Sequence, residues 1–308
     1  MLLESTFAFV LLSRGLLQDH WLVRPVHFVF VQQGVLFSER SKLADYDYHI
    51  WRLCCHRTWV LSKYGINTIA FVGLTCSLMF GYFLGCLPYL LLDKLKIPFL
   101  AKYKVQQHFY PDQKMELNAS QVCLGLFLYV MFPMIYLFVR QMGLLQIRVD
   151  SELPSAMELL ASQIYFFVVE DFLNYWLHRW LHSKWAYNTI HYMHHEHTAP
   201  FALSASYAHP IEVIILGIPT FAGPVLLSPH LFTLWLWLML RTYEAIDIHS
   251  GYELPWSTNK YLKFYAGTEH HDYHHFRFSG NFASIFTWCD KLYGTDLGYE
   301  SFKAQKNE

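Results

Sequence analysis

Thirteen of the chain's eighteen histidines lie between His178 and His275, and most fall into three groups: His178-Arg-Trp-Leu-His182, His191-Tyr-Met-His194-His195 and His271-Asp-Tyr-His274-His275. On a helix, a separation of three or four residues puts side chains on one face, so each group can aim two or three imidazoles at a common point. Neutral imidazole suits zinc, copper, iron and nickel. The eight histidines of these groups exceed what one ion with about four to six positions can use, so the spacing predicts two metal ions in a shared histidine cage.

His249 lies beside Glu244 and Asp247 and is expected to join the cage, whereas His209, before Pro210, is weighed between ligation and helix capping. His270 and Asp272 interleave the last group. Glu170, Asn174, His178 and His182 recur every four residues and form one polar stripe on an otherwise aromatic helix. The competing reading of that stripe is a buried hydrogen-bond ladder between helices. In the ligand reading Glu170, Asp171 and Asn174 accept the remote imidazole N–H groups and fix their tautomers. His20, His27, His49, His56, His108 and His230 lack partners in sequence and are left out of the site.

Composition says what must carry the cage. The 308 residues are 54% hydrophobic and only 15% charged, with a formal net charge of −1. This resembles an integral membrane protein and gives no basic footprint for nucleic acid. Six cysteines are scattered without zinc-ribbon or secreted-scaffold spacing and read as buried small residues rather than a disulfide framework. Gly65 to Leu92 is uncharged, enough for the roughly 20 residues of a membrane crossing. The loop with Lys94, Lys96, Lys102 and Lys104 then reads as cytosolic. The run Ala119 to Val139 leads away from that side, and Leu159 to Leu177 leads back, so His178 and His182 emerge beside the basic loop.

Val213 to Leu240 is uncharged too, but Pro219, Gly223-Pro224 and Ser228-Pro229 interrupt it. A single crossing would separate the third histidine group from the first two. The run is therefore expected to double back, as a re-entrant wedge or two tilted helices, with arms of about a dozen residues that fall short of a full crossing. The fold class is all-α integral membrane, with about four hydrophobic helical segments and a cytosolic histidine-rich helical cap. Residues 1–64 are poorly assignable, 65–158 carry N-terminal membrane helices, 159–296 form the catalytic domain and 297–308 a tail. No cleavable signal sequence is expected around Phe7 to Leu12, and the sequon at Asn118 is expected to be unused on the cytosolic side.

The order of the histidine groups, with a single histidine after a membrane run, resembles the fatty acid hydroxylase superfamily of membrane di-iron enzymes. His194-His-Glu-His-Thr-Ala-Pro200, Tyr207-Ala-His-Pro-Ile-Glu212, Glu244 to Trp256, and Asn281-Phe-Ala-Ser to Gly294-Thr-Asp296 are similar to the plant-type sterol 4α-methyl oxidases, or methylsterol monooxygenases. The likeness runs from about Lys102 to Tyr299. Many superfamily members carry a second histidine where this chain has Glu253, but the sterol branch also shows a single one. The resemblance implies an endoplasmic reticulum oxygenase that oxidises a sterol C4 methyl group toward the carboxylate, with two irons, O2 as co-substrate, and electrons from NAD(P)H through a reductase and cytochrome b5. The residues themselves point to metal ligation by His178, His182, His191, His194, His195, His249, His271, His274 and His275, with His209, His270, Glu170, Asn174, Asp247 and Asp272 as further or supporting candidates.

No flavin, nicotinamide or haem fingerprint is found, so reducing equivalents are expected from a partner. Lys184, Lys263 and Lys291 are weighed as its docking face against an ordinary solvated surface. Attack on an unactivated methyl C–H bond needs a redox-active metal, which excludes zinc alone. Phe166, Phe167, Tyr175, Trp176 and Trp180 are weighed as walls of an apolar pocket against ordinary packing. Two rivals stand beside sterol oxidation: hydroxylation of fatty-acyl or sphingolipid chains, or desaturation, by the same cage, and a membrane metal-binding protein without redox chemistry.

Overall fold

The computed structural model describes residues 63–149 and 152–306. The cysteine pair Cys54-Cys55 and the apolar stretches before residue 63 lie outside the described residues. Every regular element among the described residues is helical. The first long helix, α1 (Ile66–Leu95), has 30 residues and ends where Lys96 turns left-handed and its N–H bonds Leu92 O. α2 (Gln113–Gln141) starts at Asp112, whose side chain accepts from Met115 N. Its middle widens into a π turn at Phe127–Met131, ending two residues before Pro133, which lacks an N–H and would crowd the Tyr129 carbonyl in a regular helix.

α3 (Ala156–Leu181) is capped by Ser155 and ends at His182. α4 (Pro210–Leu227) and α5 (Leu231–His249) form a hairpin. Its turn is fixed by Ser228 in a left-handed conformation and by His230, whose Nδ1 accepts from Phe232 N. α5 packs along α1, and their backbones approach closely enough that a Cβ on Gly81 would sit 3.2 Å from the Met239 backbone.

The hairpin turn lies at the far end of the bundle from the histidines. Arg148 N bonds Pro229 O at 3.0 Å, Leu231 N bonds Arg148 O at 2.8 Å, and Arg148 pairs with Glu158 at the start of α3. The connection between α2 and α3 and the turn between α4 and α5 therefore meet, and the doubling back expected of 213–240 is present. The arms are longer than expected, at 18 and 19 residues or about 27 Å each. The helices run past the uncharged stretch at both ends, because Glu212, Arg241 and Glu244 are buried against protein partners rather than against lipid.

Three helices, α1, α2 and α4, are long and apolar enough to cross a membrane by length and composition. α3 was expected to be a fourth but does not qualify. Its centre carries Glu170 and Asp171, both buried inside the protein, where each finds polar partners. Of the four cysteines described, Cys86, Cys123 and Cys289 are buried, whereas Cys76 is exposed on α1.

The cap is built from short elements: a helix at Lys184–Thr189, 3-10 turns at His191–Glu196 and Ala202–Ser206, α6 (Gly267–Arg277), and a helix at Trp288–Leu292. The segment after α1 is clamped to it. Val105 N bonds Gly251 O and Glu253 N bonds Tyr103 O, while Lys104 is drawn inside, its Nζ 2.7 Å from Asp93 Oδ1 with both side chains almost fully buried. Tyr252 OH donates to the same carboxylate oxygen at 2.8 Å. Lys104, expected in a basic surface loop, is instead an internal tie between the membrane helices and the cap. Lys104→Met should cost about 3–5 kcal/mol by leaving Asp93 buried and unpaired. Adding Asp93→Asn should recover much of that in detergent unfolding, and a double variant no more stable than the single would refute the pairing.

Candidate metal centre

Nine histidines converge on two neighbouring points. His178 and His182 at the end of α3, His191 and His195 from the turn His191–Glu196, and His274 of α6 surround one, their ligand atoms all within 4.8 Å of one another. His194, His249, His271 and His275 surround the second under the same limit. Eight of the nine are buried and His182 is half-buried.

The grouping differs from what spacing suggests. Each triplet was expected to aim at one point, but each is divided: His191 and His195 face the first point and His194 the second, while His271 and His275 face the second and His274 the first. On α6 the reason is the helical period. Residues four apart are only about 40° out of line, whereas the residue three along lies about 60° to the other side. Two divided triplets interdigitate, and the His195 and His275 rings touch across the division with centroids 4.5 Å apart.

The electronic state of the rings follows from their outer contacts. His178 Nδ1 lies 2.8 Å from Phe282 O, His182 Nδ1 3.0 Å from Phe278 O, and His274 Nδ1 2.9 Å from Gly280 O. In the second group His194 Nδ1 faces Tyr207 O, His249 Nδ1 faces Ala245 O, and His275 Nδ1 faces His197 O. A carbonyl only accepts, so each of these rings carries its proton on Nδ1 and presents a bare Nε2 lone pair inward.

The Nε2 atoms nevertheless crowd together. His191 Nε2 lies 3.2 Å from that of His178 and 3.1 Å from those of His182 and His195; His249 Nε2 lies 3.2 Å from that of His194 and 3.0 Å from that of His271. His194 and His249 both carry their protons on Nδ1, so their facing Nε2 atoms cannot hydrogen-bond each other. Neighbouring nitrogens around one ion, by contrast, are about 3.0–3.4 Å apart when metal–nitrogen bonds are about 2.1 Å. Burial pushes the His194 imidazole down to about 4, so it is neutral near pH 7, the form that binds a cation.

Supporting residues differ from expectation. Glu170 is bound by Arg241 Nε at 2.8 Å and by Asn174 Nδ2 at 3.1 Å, and Asp171 accepts from Ile285 N, Phe286 N and Trp288 Nε1. Neither carboxylate receives an imidazole N–H, because backbone carbonyls of 278–282 already occupy that role. His209 is a helix cap, its Nδ1 accepting from Ile211 N, and is absent from both groups. His270 is buried but meets Asn281 Nδ2 and the Tyr299 ring; Asp247 accepts from Tyr89 OH; Asp272 accepts from Gln106 Nε2. Phe166 and Phe167 pack on Trp237 and Tyr175 on Tyr293, while Trp176 and Trp180 face outward, so these aromatics are packing and surface groups.

The residue that sequence reasoning passed over is Glu212. It is 2% exposed in the first turn of α4, with Oε1 2.9 Å from His191 Nδ1, although off the N–H···O line. The available signal was a carboxylate opening an apolar helix within the quoted stretch Tyr207 to Glu212. Nearby, Tyr207 OH donates to Glu196 and accepts from Asn118, tying α2 to the histidine turn.

This arrangement is matched by known sequences. The fatty acid hydroxylase family profile matches residues 163–295, the stretch that contains all nine histidines. Methylsterol monooxygenase 1-2 of Arabidopsis thaliana is 45% identical over 205 residues, covering 64% of this chain and 67% of that one. The chain belongs to the fatty acid hydroxylase family. Methylsterol monooxygenase 1-3 of the same plant is 44% identical over 214 residues, covering 68% and 71%. A very-long-chain aldehyde decarbonylase of Oryza sativa subsp. japonica is 43% identical over 224 residues, covering 72% and 74%. No solved structure matches the chain.

Because the converging lone pairs repel without a cation, chelation should lower the protein's unfolding midpoint. Returning ferrous iron at a hundredfold excess over its Kd should restore about 2.7 kcal/mol, and less in His274→Ala or His271→Ala. A midpoint that ignores both chelator and iron would show that the groups are an ordinary packed cluster.

Proposed function

We propose that this protein oxidises the C4 methyl group of a sterol intermediate, to the alcohol and on toward the carboxylate, at a di-iron centre held by the nine histidines in two sets of five and four. The observation that carries this is the pair of histidine groups with inward lone pairs, in a member of the fatty acid hydroxylase family similar to plant methylsterol monooxygenases. Residues 159–296 would form the catalytic domain, on the cytosolic face of the endoplasmic reticulum. O2 is the co-substrate, and electrons come from NAD(P)H through a reductase and cytochrome b5.

Iron, when bound, supplies the redox chemistry that an unactivated C–H bond requires and that side chains lack. The chain's residues supply its setting. Carbonyls of Phe278, Gly280, Phe282, Tyr207, Ala245 and His197 hold six rings in the Nδ1–H tautomer, which keeps their Nε2 atoms available without loss of a proton. Glu212 places a carboxyl group behind His191; burial pushes it toward the neutral form, and ionised by a nearby cation it would offset part of that positive charge. Burial of eight of the nine ligands excludes bulk water from the reacting centre. The apolar helices α1, α2 and α4 hold the domain in the phase where a sterol resides.

The identity to aldehyde decarbonylases, 43% against 45%, favours a second reading in which a long-chain aldehyde is the substrate. Expression in cells lacking their 4-methylsterol oxidase, with product analysis after supplying 4-methylsterols, ceramides and long-chain aldehydes, separates these outcomes. Growth rescue with loss of accumulated 4-methylsterol is expected from the wild type and not from His194→Ala or His274→Ala. Rescue by either variant would overturn the assignment of the cage, and alkane production without rescue would select the second reading.

A further inference from the structure

The chain turns abruptly after α6. Phe278, Gly280 and Asn281 adopt left-handed conformations with φ of 59°, 74° and 56°. This winding points three carbonyls of one short segment inward, Phe278 O, Gly280 O and Phe282 O, onto His182, His274 and His178. All three rings belong to the five-histidine group. The carbonyls that hold rings of the four-histidine group, those of Tyr207, Ala245 and His197, come from elsewhere.

Asn281 ties the middle of that segment to Asp296 and Leu297, and one carboxylate grips its end. Asp290, fully buried in the helix Trp288–Leu292, accepts from Phe282 N at 2.9 Å and from Thr295 Oγ1 at 2.7 Å through Oδ1, and from Ala283 N at 2.7 Å through Oδ2. Thr295 O in turn accepts from Asn281 N at 2.7 Å. Phe282 is thus held by its N–H to Asp290 and by its carbonyl to His178. Asp171 braces the following stretch through Ile285 N, Phe286 N and Trp288 Nε1, beyond the three carbonyls.

We propose that Asp290 is a positioning residue for one metal position alone: it holds the carbonyls that set the tautomer and aim of His178, His182 and His274, while the four-histidine position is independent of it. This rests on the two-ion reading above. Groups that orient metal ligands typically change affinity by about 10- to 100-fold. An amide at 290 would turn an NH2 toward backbone N–H groups that need an acceptor.

The test is titration of purified full-length apoprotein with ferrous iron, reading two dissociation constants and the iron bound per chain, with the apoprotein's unfolding midpoint measured alongside. Asp290→Asn should weaken one position about 10- to 100-fold and leave the other at its wild-type value. Thr295→Val, which removes one donor from Asp290, should weaken the same position less, and this milder change serves if Asp290→Asn folds poorly. Asp171→Asn should lower the apoprotein midpoint while retaining both affinities. Two unaltered affinities in folded Asp290→Asn, or equal weakening of both positions, would overturn the inference. A wild-type stoichiometry of one would instead overturn the two-ion reading, and this inference with it.

Discussion

Unprotonated imidazole nitrogens held about 3 Å apart in a dry interior repel, and the architecture of this protein follows from that constraint. His194 and His249 cannot relieve their contact by moving a proton between them, because carbonyls hold both Nδ1 protons on the outer side. Nor can they take up protons cheaply, since burial penalises the imidazolium. A cation at each point, as proposed above, would convert the repulsion into ligation. Such a site must be assembled by a scaffold stable enough to hold it, and the contributing residues span His178 to His275.

The scaffold meets that demand with apolar helices tied by a few buried polar contacts. Arg241 bridges Glu170 of α3 and Glu244 of α5, and Asp93 with Lys104 and Tyr252 ties the end of α1 to the cap. Each charge is matched at hydrogen-bond distance, which offsets the cost of taking it out of water. α3 and α5 deliver His178, His182 and His249 from below, and the short cap elements close over them with the other six.

Relatives of this chain are named both for sterol oxidation and for aldehyde decarbonylation, at nearly equal identity. Nine imidazoles can serve either chemistry, since ligation supplies the metal's reactivity and not the choice of substrate. Discrimination must come from residues that meet the substrate rather than the ions.

The histidine spacings, the uncharged runs and the interruption at Ser228-Pro229 made the gathering of the histidines, the helical class and the doubled-back hairpin legible from sequence, because each is a short-range pattern read in a few turns of helix. All nine histidines of the expected cage do converge. What the sequence could not determine was the division of each triplet between two points, since that depends on how α6 and the turn at His191–Glu196 are rotated against each other. It also misplaced the partners of the rings. Glu170 and Asp171 looked like acceptors from their position on the helix, yet the acceptors are carbonyls, which every residue possesses and no sequence pattern marks. Only the tertiary fold decides which carbonyl turns inward, and here it does so through left-handed residues after α6 and a carboxylate at Asp290 that holds them in place.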